Sequence, residues 1–382
     1  MSELVTPSGT VHWVGAGLSS GGGLVPVHER ADRLLLWNRR PERAEALLER
    51  LGLPGAAVRG YDRDALAAEI SPGDVVVSMV PADLHTELLD ACLERRAHFV
   101  CSSYVSEAMA ARGPAAERSG LVVQTEAGLD PGIDHLLAHV LVGDAREALG
   151  DGPASVAFTS YCGGVPAEPN DFRYRFSWAP RGVLTALLTP ARHIEEGEER
   201  TAERPWEATV PYELDGETFE ALPNRDSVPF VAQYGFPSAW RIDTFIRGTL
   251  RLDGWLDAWS QVFAVLREGD GTRIDALAKD LAARYPATDA DLDRVVLAVS
   301  LDARGPTGRW HGRCVLDVVG DRHESAMARC VSLPLACAIT RLLDGATPPG
   351  LRRAAESARE SREWLDLLGR YGLHHRTEVS AP

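Results

Sequence analysis

The chain has 382 residues, 45% of them hydrophobic and 25% charged, with a formal net charge of −15 at pH 7. These figures fit an ordinary globular protein of two or three domains, and the acidic balance argues against nucleic acid or an anionic membrane as partner, since both need a basic surface. Cys92, Cys101, Cys162, Cys314, Cys330 and Cys337 form no C-x-x-C pair, so reduced thiols in a cytoplasmic protein are expected, with neither zinc nor a disulfide framework.

The opening residues lack a basic segment followed by an apolar one, so no signal peptide is expected. No uninterrupted apolar run approaches about 18 residues, so no membrane span is expected either. Thr10 to Val14 is a β-rich run that ends in Gly15, Ala16 and Gly17. Glycines there allow a tight turn and a close approach of phosphate to the backbone. The third glycine of G-x-G-x-x-G falls on Ser20, and Gly21, Gly22 and Gly23 follow. Adjacent glycines weaken a helix, and Pro26 fits only its first turn. Alone, this pattern also suits a glycine-rich surface turn.

Leu34 to Trp37 reads as the second strand, ending in Asn38, Arg39 and Arg40. An acidic residue here would bind a ribose 2′-hydroxyl; arginine accommodates a 2′-phosphate instead. NADP is therefore favoured over NAD, the rival being two solvated charges at a helix start. Pro41 to Leu51 reads as a helix with proline in its first turn. Asp74 to Val80, followed by Pro81, His98 to Cys101, and Gly120 to Gln124 read as strands, with helices over Leu84 to Arg95 and Ser106 to Arg118. The alternation predicts an α/β fold with a Rossmann-type, doubly wound parallel sheet. Its strand ends direct Ser78, Ser102, Ser103, Tyr104, Glu126 and Asp130 to one rim, where ligands bind.

The stretch from Thr125 to His135 is the hinge of the chain. Asp130 is placed to cap a helix whose first residue is Pro131. Ile133, Leu136, Leu137, Val140 and Leu141 repeat as one apolar helical stripe. Farther on, Ala154 to Tyr161 reads as a strand leading into Cys162, and Arg181 to Leu188 as a helix. Residues 194–215 read as surface, and Thr244 to Leu252 as a strand. Gly254 to Tyr285 reads as a small helical insert. Val295 to Asp302 and Arg309 to Val319 read as an antiparallel pair turning at residues 305–308. Ser325 to Leu343 reads as an apolar helix that Pro334 should kink, and Arg352 to Leu368 as a polar tail helix. The domains expected are 1–129 for the nucleotide, 130–254 with 295–324 as an α/β substrate and dimerisation domain, and 255–294 as the helical insert.

Ser102 to Ser106, Glu126 to His135 and Ser160 to Pro166 resemble the NADP-dependent, L-glutamate-forming saccharopine dehydrogenases, also called saccharopine reductases. The likeness continues through Phe176 to Trp178, Arg181 to Val183, Pro223 to Ser227, Arg247 to Leu250 and Met327 to Arg329, in the family's order. The resemblance implies reduction by NADPH of the imine of glutamate and 2-aminoadipate 6-semialdehyde, or the reverse oxidation. It also implies a homodimer, and C-terminal helices over 325–382 that return to the nucleotide domain.

The residues support that chemistry in different ways. Imine formation creates a cationic nitrogen, and a carboxylate beside it is favoured in a water-poor cleft. Asp130 is the first candidate, as charge stabiliser or acid–base, against its capping role. Tyr104 is either a phenol donor to substrate or an edge aromatic. Cys162 is either a thiol at the reacting carbon or a small buried hydrophobe. Arg225 and Arg247, with Gly248 and Thr249, are candidates to clamp substrate carboxylates in bidentate fashion. Ser103, Tyr104 and Asp130 join them as substrate-binding candidates. The cofactor candidates are Gly15, Gly17, Leu18, Ser19, Asn38, Arg39, Arg40, Val80, Pro81, Ser102, Ser103, Leu129, Asp130 and Trp178. Two alternatives stay open: the same fold acting on another amine or aldehyde, and a nucleotide-binding regulator without turnover.

Overall fold

Short apolar runs separated by amphipathic helices can be buried on both faces only as a parallel sheet covered on each side. The computed structural model, which describes residues 3–176, 180–286, 288 and 291–380, forms such a sheet from strands β1 (Thr10–Val14), β2 (Arg33–Asn38), β3 (Ala57–Gly60), β4 (Val75–Ser78), β5 (His98–Cys101) and β6 (Val122–Gln124). Their order is β3-β2-β1-β4-β5-β6, and a seventh strand, Gly350–Arg352, lies beside β6. Every ladder in this sheet is parallel. It belongs to one of two units into which the chain divides, made of residues 1–136, 328–356 and 360–374.

Trp13, Trp37, Val76, Val77, Phe99 and Val100 are fully or almost fully buried in this sheet. Polar side chains, His12 and Asp74 among them, share that core. The His12 Nε2 and Asp74 Oδ2 atoms are 3.0 Å apart, and the Trp37 indole donates to His12 Nδ1 at 3.2 Å. A buried polar group is tolerated because it is satisfied.

Several elements differ from the sequence reading. β3 and the helix Arg63–Glu69 were not anticipated, because Ala57–Gly60 is a half-exposed edge strand with little apolar signal. The helix expected over Ser106 to Arg118 is two short helices, Glu107–Ala110 and Gly113–Arg118; Pro114 in the first turn of the second supplies no N–H to carry the ladder through. The tail helix is Ala358–Arg370. Arg352 lies outside it, in the strand beside β6, where the Thr125 N–H donates to its carbonyl at 2.8 Å.

The second unit takes residues 137–327, 357–359 and 375–382. Its sheet contains β7 (Ala154–Pro166), β8 (Ala191–Glu195), β9 (Glu198–Ala202), β10 (Val210–Leu214), β11 (Glu217–Pro223), β12 (Trp240–Leu252), β13 (Asp293–Gly305) and β14 (Gly308–Val319), and a last strand, Arg376–Ser380, paired with β14. The main path runs β10-β11-β12-β7-β13-β14. β12 and β7 are parallel, and the neighbouring ladders are antiparallel. One face carries Tyr161, Phe219, Leu250, Val296 and Val315 in one apolar cluster. A second, aromatic cluster joins Phe172, Tyr174, Trp206 and Leu222 to Trp255 and Phe263 of the insert helices Trp255–Ala258 and Ser260–Glu268 and to Trp259 between them. Phe172 stacks on Trp259 at 4.8 Å and Trp206 on Phe263 at 5.3 Å, distances at which aromatic pairs add to simple area burial.

The helix Ala326–Leu343 carries Pro334 inside it and is long and apolar enough to cross a membrane by length and composition, yet 67% of it is buried in the protein. Its first two N–H groups, of Ala326 and Met327, donate to the Asp293 carboxylate at 2.7 and 2.9 Å, which satisfies groups that a helix start leaves unpaired.

Candidate functional site

In the first unit, parallel strands carry their C-terminal ends to one side of the sheet, and the residues after β1, β2, β4, β5 and β6 therefore share a rim. Gly15, at the end of β1, has φ +120, and a Cβ there would lie 2.7 Å from the Met79 carbonyl oxygen. Glycine is required at that position. A Cβ at Gly17 would meet nothing within 4 Å, so the protein itself does not demand glycine there, and the space beside the turn stays open.

Ser20 replaces the third glycine by closing the turn. Its hydroxyl donates to the Gly15 carbonyl at 2.9 Å, and the side chain is buried. The close packing usually served by the third glycine falls on Gly23, where a Cβ would lie 2.0 Å from the Ser332 carbonyl oxygen. The Gly23 N–H donates to the Ser332 hydroxyl at 3.0 Å. The helix then runs Leu24–Arg30 with Pro26 in its first turn, as expected. Leu18 is 60% exposed at the tip of the turn, and Ser19 is partly buried.

Asn38 ties this turn to the loop after β2. The Ala16 N–H donates to its Oδ1 at 3.3 Å, and its Nδ2 donates to the Arg40 carbonyl at 2.8 Å. Arg39 and Arg40 are exposed, and neither forms an ion pair among the described residues. An open glycine turn fastened to two exposed guanidiniums fits a dinucleotide carrying a 2′-phosphate. Val80 is partly buried and Pro81 is exposed beyond β4.

Beyond β5 the hydroxyls are organised by a histidine that the sequence reading missed. The His85 Nδ1 lies 2.7 Å from the Ser78 hydroxyl, and its Nε2 lies 2.8 Å from the Ser103 hydroxyl. Burial pushes the imidazole down to about 4, only partly offset by Asp83. A neutral ring therefore links Ser103 to Ser78 and fixes the Ser103 oxygen. A histidine one helical segment after a strand ending in serine was the available signal. Ser102 is also partly buried at this rim.

The Tyr104 hydroxyl donates to Asp130 Oδ1 at 2.5 Å, and both side chains are partly buried. A phenol on a carboxylate at this distance is a charge-assisted hydrogen bond. The sequence reading of Asp130 as helix cap is corrected. The helix is Ile133–Leu149, so Pro131 is outside it and Asp130 does not stand at its cap position. The turn is closed instead by the Gly132 N–H, which donates to Asp134 Oδ1 at 2.7 Å. Gly128 and Gly132 approach so closely that a Cβ on Gly132 would lie 1.9 Å from the Gly128 carbonyl oxygen. Leu129 is buried beside them.

Glu126 and His135 are buried, and they serve the loop. The His135 imidazole lies 3.3 Å from both the Glu126 and Asp134 carboxylates, and Arg353 reaches Glu126 at 3.4 Å. Burial pushes the Glu126 carboxyl up; His135, Arg353 and the Val105 N–H outweigh it and hold the group below its ordinary value. His135 thus bonds locally, and its edge faces Tyr104 with ring centroids 6.5 Å apart.

The second unit carries the cationic candidates. Arg247 is buried on β12, with its guanidinium carbon 4.0 Å above the Phe230 ring. Its N–H donates to the Ser227 hydroxyl at 3.0 Å, and its carbonyl accepts from the Asn224 N–H at 2.9 Å. These bonds hold the 224–227 loop against β12, so Arg225 and Arg247 are on adjoining backbone. Arg225 is exposed with φ +57. The Asp226 carboxylate takes both Nε and Nη2 of Arg192, at 3.0 and 2.8 Å, so Asp226 is an intramolecular ion-pair partner.

Thr249 is paired in register with Cys162 of β7, so the two share a face. Cys162 is corrected from the end of a strand to its interior: β7 continues to Pro166 because β13 pairs with it as far as Asp293. Gly248 points to the other face, where a Cβ would lie 2.6 Å from the Tyr161 ring; its need is steric. Trp178 lies outside the described residues.

Comparison with known proteins agrees with both halves. Residues 11–123 match the saccharopine dehydrogenase NADP binding domain, and residues 128–373 match the saccharopine dehydrogenase C-terminal domain. The chain is 30% identical over 361 residues to the mitochondrial alpha-aminoadipic semialdehyde synthase of Bos taurus, covering 75% of this chain and 38% of that protein. It is 39% identical over 200 residues to a saccharopine dehydrogenase [NADP(+), L-glutamate-forming] of Pyricularia oryzae, covering 51% of this chain and 43% of that one. The matches thus span about two-fifths of the length of these curated relatives. Apo saccharopine dehydrogenase (L-Glu forming) from Saccharomyces cerevisiae superposes with a TM-score of 0.83 at 26% identity, over 97% of this chain and 100% of that one. A homospermidine synthase from Legionella pneumophila shares the fold at a TM-score of 0.64 and 10% identity, over 99% of this chain and 93% of that one. With its NADP-binding and C-terminal halves both matched, and its fold shared from end to end, the chain belongs to the saccharopine dehydrogenase family.

Proposed function

We propose that the chain is an NADP-dependent oxidoreductase acting on a CH–NH bond. It reduces the imine of glutamate and 2-aminoadipate 6-semialdehyde to saccharopine, or runs the reverse oxidation. The observation that carries this reading is the Tyr104 hydroxyl held 2.5 Å from Asp130, on the ligand-binding rim of a nucleotide-type sheet. The family membership and the names of its relatives support the substrate.

Bound NADPH would supply the hydride; the residues supply the rest. Arg39 and Arg40 meet the 2′-phosphate, and the Gly15 to Ser19 turn admits the pyrophosphate. Asp130 holds negative charge where the imine nitrogen is cationic, and stabilisation of this kind is strongest where water is excluded. Tyr104 keeps a proton on its oxygen while it donates to Asp130, so the pair holds both a proton donor and an anion ready beforehand. His85, neutral, keeps the Ser103 hydroxyl oriented for a polar group of substrate or nucleotide. Arg225 and Arg247 bind substrate carboxylates with forked guanidiniums. The protein is read as a cytoplasmic homodimer, which size-exclusion chromatography with light scattering tests for assembly and fractionation for place.

The test of the reaction is absorbance at the reduced-nicotinamide band with saccharopine and NADP or NAD in parallel. NADP reduction with a marked preference over NAD is the expected result. Nucleotide binding without turnover of saccharopine would move the reading to another amine substrate.

A further inference from the structure

Along β12, side chains alternate between faces, so Arg247, Thr249 and Arg251 lie on the same one. Arg251 is the member of this row that neither the sequence motifs nor the family comparison assigns. Its guanidinium carbon sits 5.0 Å from the Tyr174 ring centroid and 5.5 Å from that of Trp255. Its Nη1 donates to the Leu250 carbonyl at 2.9 Å, and its Nε is buried with no hydrogen-bond partner among the described residues. Among the described residues it forms no ion pair. Burial presses its charge in the unfavourable direction.

The carboxylate opposite it on the neighbouring strand is already committed. Glu220 faces Arg251 across the β11–β12 ladder, yet its two oxygens accept from the N–H groups of Gly254 and Leu256, at 3.1 and 2.8 Å. Glu220 thus secures the start of the helix Trp255–Ala258, whose Trp255 forms one wall around the guanidinium. A charged, partly desolvated fork with no anion costs stability unless a ligand supplies one.

We propose that Arg251 is a binding residue for a carboxylate at the far end of the substrate from Arg247. Four residues of strand separate the two, roughly 13 Å of backbone. That span exceeds the two carboxylates of a single glutamate and suits those of an elongated adduct of two amino acids. Thr249 lies between the two arginines, with Cys162 beside it on β7, facing the middle of such a molecule. The tryptophan and tyrosine faces hold the guanidinium plane in place, which reduces the entropy lost when it grips a carboxylate. The inference rests on the proposed reaction for the identity of the substrate; the anion site itself does not.

Two measurements keep those apart. Suberate and octanoate have the same chain length and differ by one carboxylate, so their competition against each other on the intact protein, read by calorimetry, needs no turnover. The wild type should bind suberate about 10- to 100-fold more tightly than octanoate. Arg251→Met should reduce that ratio to within about threefold, and Arg251→Lys should give an intermediate value because it keeps the charge and loses the fork. In steady state, Arg251→Met should raise KM for saccharopine by about 10- to 100-fold with kcat little changed, and nucleotide affinity should stay at the wild-type value. A preference for suberate that survives in both variants, or is absent from the wild type, overturns the proposal. Lack of saccharopine turnover by the wild type, with the suberate preference present and lost in Arg251→Met, overturns only the reaction and leaves the anion site standing.

Discussion

The rim of the first unit and the β12 face of the second treat charge in opposite ways. At the rim, polar groups are tied to one another: Tyr104 to Asp130, Ser78 and Ser103 through His85, Glu126 to His135 and Arg353. On β12, Arg251 lies beside two aromatic rings, with a buried Nε that has no hydrogen-bond partner among the described residues. The first arrangement sets its charged groups against opposite charges or hydroxyls of its own and holds geometry for chemistry. The second stays electrostatically unfinished and gains from an anion. Substitutions at the rim should therefore cut turnover or stability, and substitution of Arg251 should cut binding while leaving the fold alone.

The sharpest challenge to this contrast is Asp130→Asn. It keeps the size of the side chain and an acceptor for Tyr104 while removing the charge. The expected loss is about 100- to 1,000-fold in kcat with saccharopine KM nearly constant. A matching rise in KM instead would make Asp130 a substrate clamp, and the rim would then resemble β12. Steady-state kinetics at saturating NADP reads the difference.

Next in size is the response to acid, because the first unit buries neutral imidazoles. His98 is the cleaner case. Its Nε2 lies 3.0 Å from the Val5 carbonyl, and its Nδ1 accepts from the Val122 N–H at 3.0 Å. Burial moves His85 and His98 each from 6.5 to about 4. Folded-state values below the unfolded one mean that the unfolded chain takes up more protons as pH falls. Stability contributed by the neutral rings is thus complete above about pH 6.5 and lost progressively down to about pH 4, about 3 kcal/mol for each ring. Urea unfolding at about pH 7 and about pH 4.5 should show this decline, and His98→Gln should flatten it. An unchanged slope in that variant would place the acid sensitivity elsewhere.

How much of this could be read from the chain depended on what fixed each element. β1, β2, β4 and β5 are contiguous apolar runs because both their faces are buried, and such runs announce themselves. The half-exposed edge strand Ala57–Gly60 and the three-residue strand Gly350–Arg352 gave no such signal; the second takes its conformation from pairing with β6, a contact far away in sequence. Asp130 looked like a helix cap because Asp followed by Pro is a common start to a helix. The close approach of Gly128 and Gly132 delays that start to Ile133. Ser20 looked like damage to the glycine turn, and its hydroxyl on the Gly15 carbonyl supplies closure that no sequence pattern specifies. Arg251, by contrast, was legible: once Arg247 is on a strand, period-two alternation puts Arg251 on the same face. The motif that drew notice to Arg247 ended one residue too soon.

A smaller effect tests the nucleotide cradle. Replacing Arg39 and Arg40 together with alanine should lower kcat/KM for NADP about 10- to 100-fold and leave NAD unaffected, since each exposed contact to the 2′-phosphate is worth only a modest charge-assisted hydrogen bond. Equal losses with both nucleotides would show that the loop held by Asn38, and not its charges, is what matters.

The smallest expected changes are in stability, and they set the two regions side by side. Ser332→Ala leaves the buried Gly23 N–H without its acceptor, which should cost about 1–3 kcal/mol. Arg251→Met removes two aromatic contacts to the guanidinium, each worth about 0.5–1 kcal/mol. It also removes the cost of a partly desolvated charge with no partner, of similar size and opposite sign. The two nearly cancel, so its unfolding free energy should stay within about 1 kcal/mol of the parent while Ser332→Ala falls below it. Chemical denaturation of both variants beside the parent decides the matter. If Arg251→Met unfolds as readily as Ser332→Ala, the arginine is part of the scaffold, and the contrast between a finished rim and an unfinished strand face collapses.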